Sequence, residues 1–184
     1  MKKLSFLLLL TTLFGLPATA ADNPKVRLTT TLGDIDIELY PQQAPKSVEN
    51  FLELVDTGFY DGLVFHRVVA GFVIQAGGYD EKLTYRPPPR TVPNESGNGL
   101  ANRKYSVAMA RLADPDSADT QFFINVKHNT HLDGSRLQPG YTVFGQVVAG
   151  MSVVHEIELL DTRTEAGMAG VPVHDVIITA TKRL

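Results

Sequence analysis

The chain has 184 residues, with 17 Lys and Arg against 20 Asp and Glu, and it contains no cysteine. That length suits one ordinary domain whose interior is large enough to fold without staples, and the missing cysteines exclude a disulfide framework. The charges are interspersed without a basic block, and a net charge of −3 repels phosphate backbones, so nucleic acid is excluded as a partner.

In chain order, Lys2 and Lys3 precede an apolar run over residues 4–16, and Ala18-Thr19-Ala20 follows. This is the pattern of an export signal cut after residue 20. The run is shorter than the roughly 20 residues a membrane-spanning helix needs. Residues 1–20 are therefore expected to be a removed signal peptide and residues 21–184 a single domain. Loss of Lys2 and Lys3 takes the basic count from 17 to 15 and the net charge to −5. The expected destination is a bacterial periplasm, with no membrane contact after cleavage. No exposed heptad or long apolar stripe demands a dimer, so a monomer is expected.

Residues 26–31 and 34–39 alternate apolar and polar side chains on either side of Leu32-Gly33, which predicts a β-hairpin. Pro45 suits a first helical turn, Val48, Phe51, Leu52 and Val55 recur at helical spacing, and Gly58 supplies a stop, so one amphipathic helix is predicted over residues 45–57. Residues 63–74, 121–126 and 141–148 are rich in β-formers and end near glycine or polar turn residues. Between residues 77 and 105, Arg86-Pro87-Pro88-Pro89-Arg90 and Asn94-Glu95-Ser96-Gly97-Asn98-Gly99 break the pattern into a long loop. Such a loop is either a plain connection or the flank of a site. A second short helix begins near Met151 with Val154, Ile157 and Leu160 on one side, and residues 175–181 give a closing strand. Many short strands with only two helices predict a mainly β fold, a closed antiparallel barrel, in which closure removes exposed edges.

Several motifs fail. Asp114-Pro115-Asp116 opens like a calcium loop, but Asp119 and Asn125 occupy the sixth and twelfth positions where glycine and glutamate belong. His128 and His131 have no third ligand at a recognisable spacing. No nucleophile elbow or phosphate-cradling glycine loop is present. The chemistry therefore calls for no metal and no cofactor.

The segment Phe65-His66-Arg67-Val68-Val69-Ala70-Gly71-Phe72-Val73-Ile74-Gln75-Ala76-Gly77-Gly78 remains, followed in order by Ala108-Met109-Ala110-Arg111, Thr120-Gln121-Phe122-Phe123-Ile124-Asn125, Leu132-Asp133-Gly134, Val143-Phe144-Gly145 and Gly150-Met151. With these motifs the chain resembles the cyclophilin family over roughly residues 26–182, and in detail its periplasmic bacterial branch. The resemblance implies an eight-stranded antiparallel barrel closed by two α-helices, with a groove on its outside that isomerises peptidyl-prolyl bonds. It implies catalytic roles for Arg67, Phe72, Gln75 and Phe123, and substrate-binding roles for Val73, Ala110, Arg111, Gln121, His131, Leu132 and Tyr141. Arg111, His131 and Tyr141 depart from the asparagine, tryptophan and histidine of eukaryotic relatives, and Val73 stands where methionine is common. The implied partners are proline-containing unfolded or partly folded polypeptides. His66 is read as structural. The alternative reading is a non-catalytic proline-segment binding module or periplasmic chaperone on the same fold, and retention of Arg67 favours catalysis over it.

Overall fold

The computed structural model describes residues 22–135 and 137–184; the expected signal peptide lies outside them. The chain opens with strands β1 (Lys25–Thr30) and β2 (Gly33–Leu39), paired antiparallel through the predicted turn. Val26, Leu28, Ile35, Ile37 and Leu39 are fully buried, because successive strand side chains point to opposite faces. Helix α1 (Pro45–Asp56) begins at its proline and is followed by Gly58 at φ +65°. Leu54 joins Val48, Phe51 and Val55 on its buried face, while Leu52 is only half-buried.

Ala44 gives α1 no side-chain cap. The first N–H groups of a helix lack internal partners, and here a distant loop supplies them. The Glu95 carboxylate accepts from Lys46 N at 3.0 Å, Ser47 N at 2.8 Å and Ser47 Oγ at 2.7 Å. An anion in this place also suits the helix dipole.

Residues 63–74 hold a hairpin rather than one strand: β3 (Arg67–Val69) turns at Gly71, φ +66°, into β4 (Val73–Ala76). Then come β5 (Ser106–Met109), β6 (Phe122–Asn125), β7 (Val143–Ala149), α2 (Met151–Glu158), β8 (Thr162–Glu165), β9 (Met168–Pro172) and β10 (Ile178–Arg183). Gly150 starts α2 at φ +82°, where a Cβ would overlap the Asp34 carbonyl oxygen.

Eight strands form one sheet in the order β10-β1-β2-β7-β5-β6-β4-β3, and β8 pairs with β9 alone. The expected closed barrel is thereby corrected: β3 and β10 do not pair, and the sheet is an open half-barrel. With three residues β3 is short, and β9 lies against it, Gly170 facing the Val68 carbonyl. Among the described residues three isolated backbone bonds span the gap to the chain preceding β3, from Gly62 N to Ile178 O, from Ile178 N to Leu63 O and from Phe65 N to Val176 O.

The core lies between the sheet's inner face and α1. Phe51 meets Tyr60, Phe122 and Phe144 at centroid separations of 5.3, 5.5 and 5.2 Å, and α2 adds Val154 and Ile157. Strand alternation sends the neighbours of these core residues to the other face. Val73, Ala108, Phe123 and Val143, one from each of four strands, form a second apolar cluster there. Register sets three of them in one row with Arg67 and Gln75: Arg67 faces Gln75, Gln75 faces Phe123, Phe123 faces Ala108, and Ala108 faces Val143, while Val73 faces Asn125. At about 4.8 Å per strand, that row sets the Gln75 amide one strand and the Arg67 cation two strands from Phe123 in the apolar floor.

Candidate active site

Loops raise walls around this floor. Phe72 comes from the β3–β4 turn, Leu132 from a 3-10 turn (Thr130–Leu132), and Tyr141 from the chain entering β7. With Arg67, Val73, Gln75, Ala110, Arg111 and Phe123 they enclose a cavity of about 250 Å³. Nine of the eleven sequence-predicted residues thus line one space. The Phe123 and Tyr141 rings meet edge to face at 5.6 Å, leaving an apolar slot of restricted width.

Arg67 stands at the slot's polar end. Its Nη1 donates to Gln75 Oε1 at 3.4 Å, and Gln75 Nε2 donates to Gln121 Oε1 at 3.1 Å. The guanidinium carbon lies 5.9 Å from the Phe72 ring centroid. Among the described residues it forms no ion pair. Several of its N–H groups are therefore available to a ligand, held in direction by neutral amides.

Gln121 and His131 lie outside the slot. Gln121 lines an adjoining pocket of about 300 Å³ together with Tyr79, Tyr85, Ser117 and Asp119; Gln75, Ala110 and Arg111 belong to both spaces. Exposed His131 stacks on Phe72 at 5.5 Å and 21°. Arg111 is more committed than a binding residue would be. It bonds Gly140 O, Leu112 O and Pro139 O at 3.2, 2.9 and 2.9 Å, and it covers the Tyr141 ring at 4.7 Å. Its guanidinium clamps two loops, and the residue offers the slot chiefly its stem.

The family model for cyclophilin-type peptidyl-prolyl cis-trans isomerases matches residues 25–183. The chain belongs to this family. An isomerase of Acinetobacter baylyi is 44% identical over 90% of this chain and 88% of its own. Peptidyl-prolyl cis-trans isomerase B of Escherichia coli is 43% identical over 83% of this chain and 95% of its own. Among solved structures, a cyclophilin of Cryptosporidium parvum superposes with a TM-score of 0.74 at 26% identity, covering 88% of this chain and 98% of that one.

Several residues of this cyclophilin's site carry little signal in the sequence. Ala108 and Val143 complete the floor, and Leu100 packs against it from the 77–105 loop, so that loop flanks the site. Tyr79 and Tyr85 come from its beginning. Their signal was weak: single tyrosines in a proline-rich stretch. Asp119 was visible only as the neighbour of Thr120-Gln121; it accepts from Gln121 N at 3.2 Å and from the Tyr85 hydroxyl at 3.3 Å. His66, beside Arg67, is buried under Tyr79 with ring centroids 4.7 Å apart. Desolvation pushes its pKa down to about 4, so the ring is neutral near pH 7 and puts no second charge beside the arginine.

Proposed function

We propose that this cyclophilin accelerates cis/trans exchange of Xaa-Pro bonds in unfolded or partly folded polypeptides, with Arg67 as the group that stabilises the transition state. The observation that carries the reading is an arginine with no ion pair among the described residues, steered by Gln75, at the mouth of an apolar slot of about 250 Å³. Trans is favoured by only about 0.5–1 kcal/mol at such bonds, yet amide resonance sets a barrier of about 18–20 kcal/mol. The task is kinetic, and no bond is broken. At the twisted state the prolyl nitrogen recovers a lone pair, which an Arg67 N–H can engage. Phe72, Phe123 and Leu132 hold the ring while the preceding carbonyl turns. The Arg67 contact accelerates exchange because it is stronger in the twisted state than in either planar one.

Two similarities support the substrate class: the relatives' names, and a structure of the Cryptosporidium protein solved in the presence of the dipeptide Ala-Pro, with a TM-score of 0.71 and 27% identity. The proposed place of action is the periplasm, resting on the export pattern in residues 1–20. A protease-coupled assay on a short Xaa-Pro peptide tests the reading. Catalysed exchange is expected. Peptide binding without acceleration would make the protein a binding module.

A further inference from the structure

Behind the slot, the outer face of the sheet turns from apolar to polar. Phe123 and Ala108 belong to the floor, and Asn125 and Ser106, two residues along the same strands, share their face. There Asn102, Asn125 and Asn129 are wholly buried, and Ser106 nearly so. Asn125 Nδ2 donates to Ser106 Oγ at 2.9 Å and to Asn102 Oδ1 at 3.1 Å. Asn129 Nδ2 donates to Asn125 Oδ1 at 2.7 Å and to the Phe72 carbonyl at 2.9 Å. Asn102 Nδ2 reaches Asp133 Oδ1 at 2.9 Å, and the Tyr141 carbonyl is 3.4 Å away. The Asn129 carbonyl accepts from Leu132 N at 2.8 Å, and the Leu132 carbonyl from Tyr141 N at 2.9 Å.

All three walls that loops contribute, Phe72, Leu132 and Tyr141, therefore hang on one chain of amides rooted in β5 and β6. Turns of this kind have little to fix them otherwise. Asn129 is the centre, touching the Phe72 segment through its side chain and the Leu132 segment through its main chain. Its Oδ1, also buried, meets no donor among the described residues.

We infer that Asn129, with Asn102 and Asn125, is a positioning residue of the isomerase: it sets the width of the proline slot without touching substrate. This rests on the proposed use of the slot. Arg67 is held by Gln75 and does not share the network, so loosening the walls weakens substrate binding more than turnover. Asn129→Ala should raise KM for an Xaa-Pro peptide about tenfold, the equivalent of about 1.4 kcal/mol of lost wall contact, and leave kcat within about threefold, since Arg67 keeps its place. Asn102→Ala should act in the same direction, and the double variant should be less than additive because the two belong to one network. A purely structural role gives the opposite split: a smaller folded fraction lowers apparent kcat and leaves KM alone.

The experiment measures kcat and KM for wild type, Asn129→Ala and Val26→Ala, a core truncation in β1, which β2 and β7 separate from β5. Val26→Ala should keep the wild-type KM. Asn129→Ser replaces the alanine variant should that one not fold. An unchanged KM in a folded Asn129 variant, or a fall in kcat alone, overturns the inference. Amide resonances give a readout independent of turnover. Those of Phe72, Leu132 and Tyr141 should move in Asn129→Ala while that of Arg67 stays, and unmoved wall resonances overturn the inference even if the peptide proves a poor substrate.

Discussion

Replacing Glu95 by alanine removes the borrowed cap of α1. Three bonds go at once, but they are not equal. Lys46 is exposed, so water can replace the acceptor at its N–H, whereas Ser47 is fully buried and loses partners for both its N–H and its hydroxyl. An unmatched buried donor costs about 1–3 kcal/mol, and loss of a helix cap costs about 0.5–2 kcal/mol. These figures overlap, since water can enter beside a half-buried carboxylate, and a loss of about 2–3 kcal/mol is expected. For a chain of this size each kcal/mol moves Tm by about 2–4 °C, so Glu95→Ala should melt about 4–12 °C below wild type. Glu95→Gln keeps an acceptor oxygen and should lose about 1 kcal/mol. Turnover of the folded protein at 25 °C should change less than about twofold, because the backbone of the same loop stays fastened from Glu95 N to Thr142 Oγ1 and from Gly140 N to Ser96 Oγ. Scanning calorimetry with a parallel isomerisation assay decides it. A Glu95→Ala protein melting within about 2 °C of wild type, or a glutamine variant weaker than the alanine one, would refute the reasoning.

Three further outcomes are expected. The folded-state pKa of His66 is depressed to about 4 from 6.5, so the unfolded chain binds the extra proton: stability is full above pH 6.5 and falls between about pH 6.5 and 4, by up to about 3 kcal/mol. Denaturant titrations at these pH values should show that slope in wild type and lose it in His66→Phe. His131 stacks on Phe72 at the rim and is exposed, and His131→Trp, with a broader apolar face and an N–H donor, should bind cyclosporin more tightly than wild type in calorimetric titration at pH 7.5; equal affinities would remove that position as a determinant. The exported protein should begin at Ala21 by mass spectrometry, and an abundant form retaining Met1 would overturn the export reading.

Where burial alternates, the sequence was readable. The β1–β2 hairpin and α1 carry a clean period of two and of 3.6, and their ends fall within a residue or two of those expected. β5 was hidden because all four of its residues are buried, two between sheet and core and two on the outer face. β8 was hidden for the opposite reason: all four residues are exposed, so no apolar pattern marks them. The open edge was not legible either, since closure depends on the long-range placement of β3, β9 and β10. Slot residues other than Tyr141 lie within a few short motifs, which made them readable. The clamp of Arg111 was not, as its partners Pro139 and Gly140 are 28 and 29 residues away and offer only backbone carbonyls. Asn125 stands in a family motif, but nothing in the sequence links it to Asn102 and Asn129, 23 and 4 residues away, and only folding shows that the three are buried together.

The central claim is that one arginine supplies the transition-state contact while the apolar walls supply binding. Arg67→Ala separates the two, and the decisive measurement is its kcat/KM for an Xaa-Pro peptide alongside the dissociation constant of the same peptide. Removing one preorganised donor to developing charge costs about 10²–10³ in rate. The account predicts that kcat/KM falls by that factor, with native circular dichroism and peptide affinity within about fivefold of wild type. Turnover within threefold of wild type in a folded Arg67→Ala protein would contradict it.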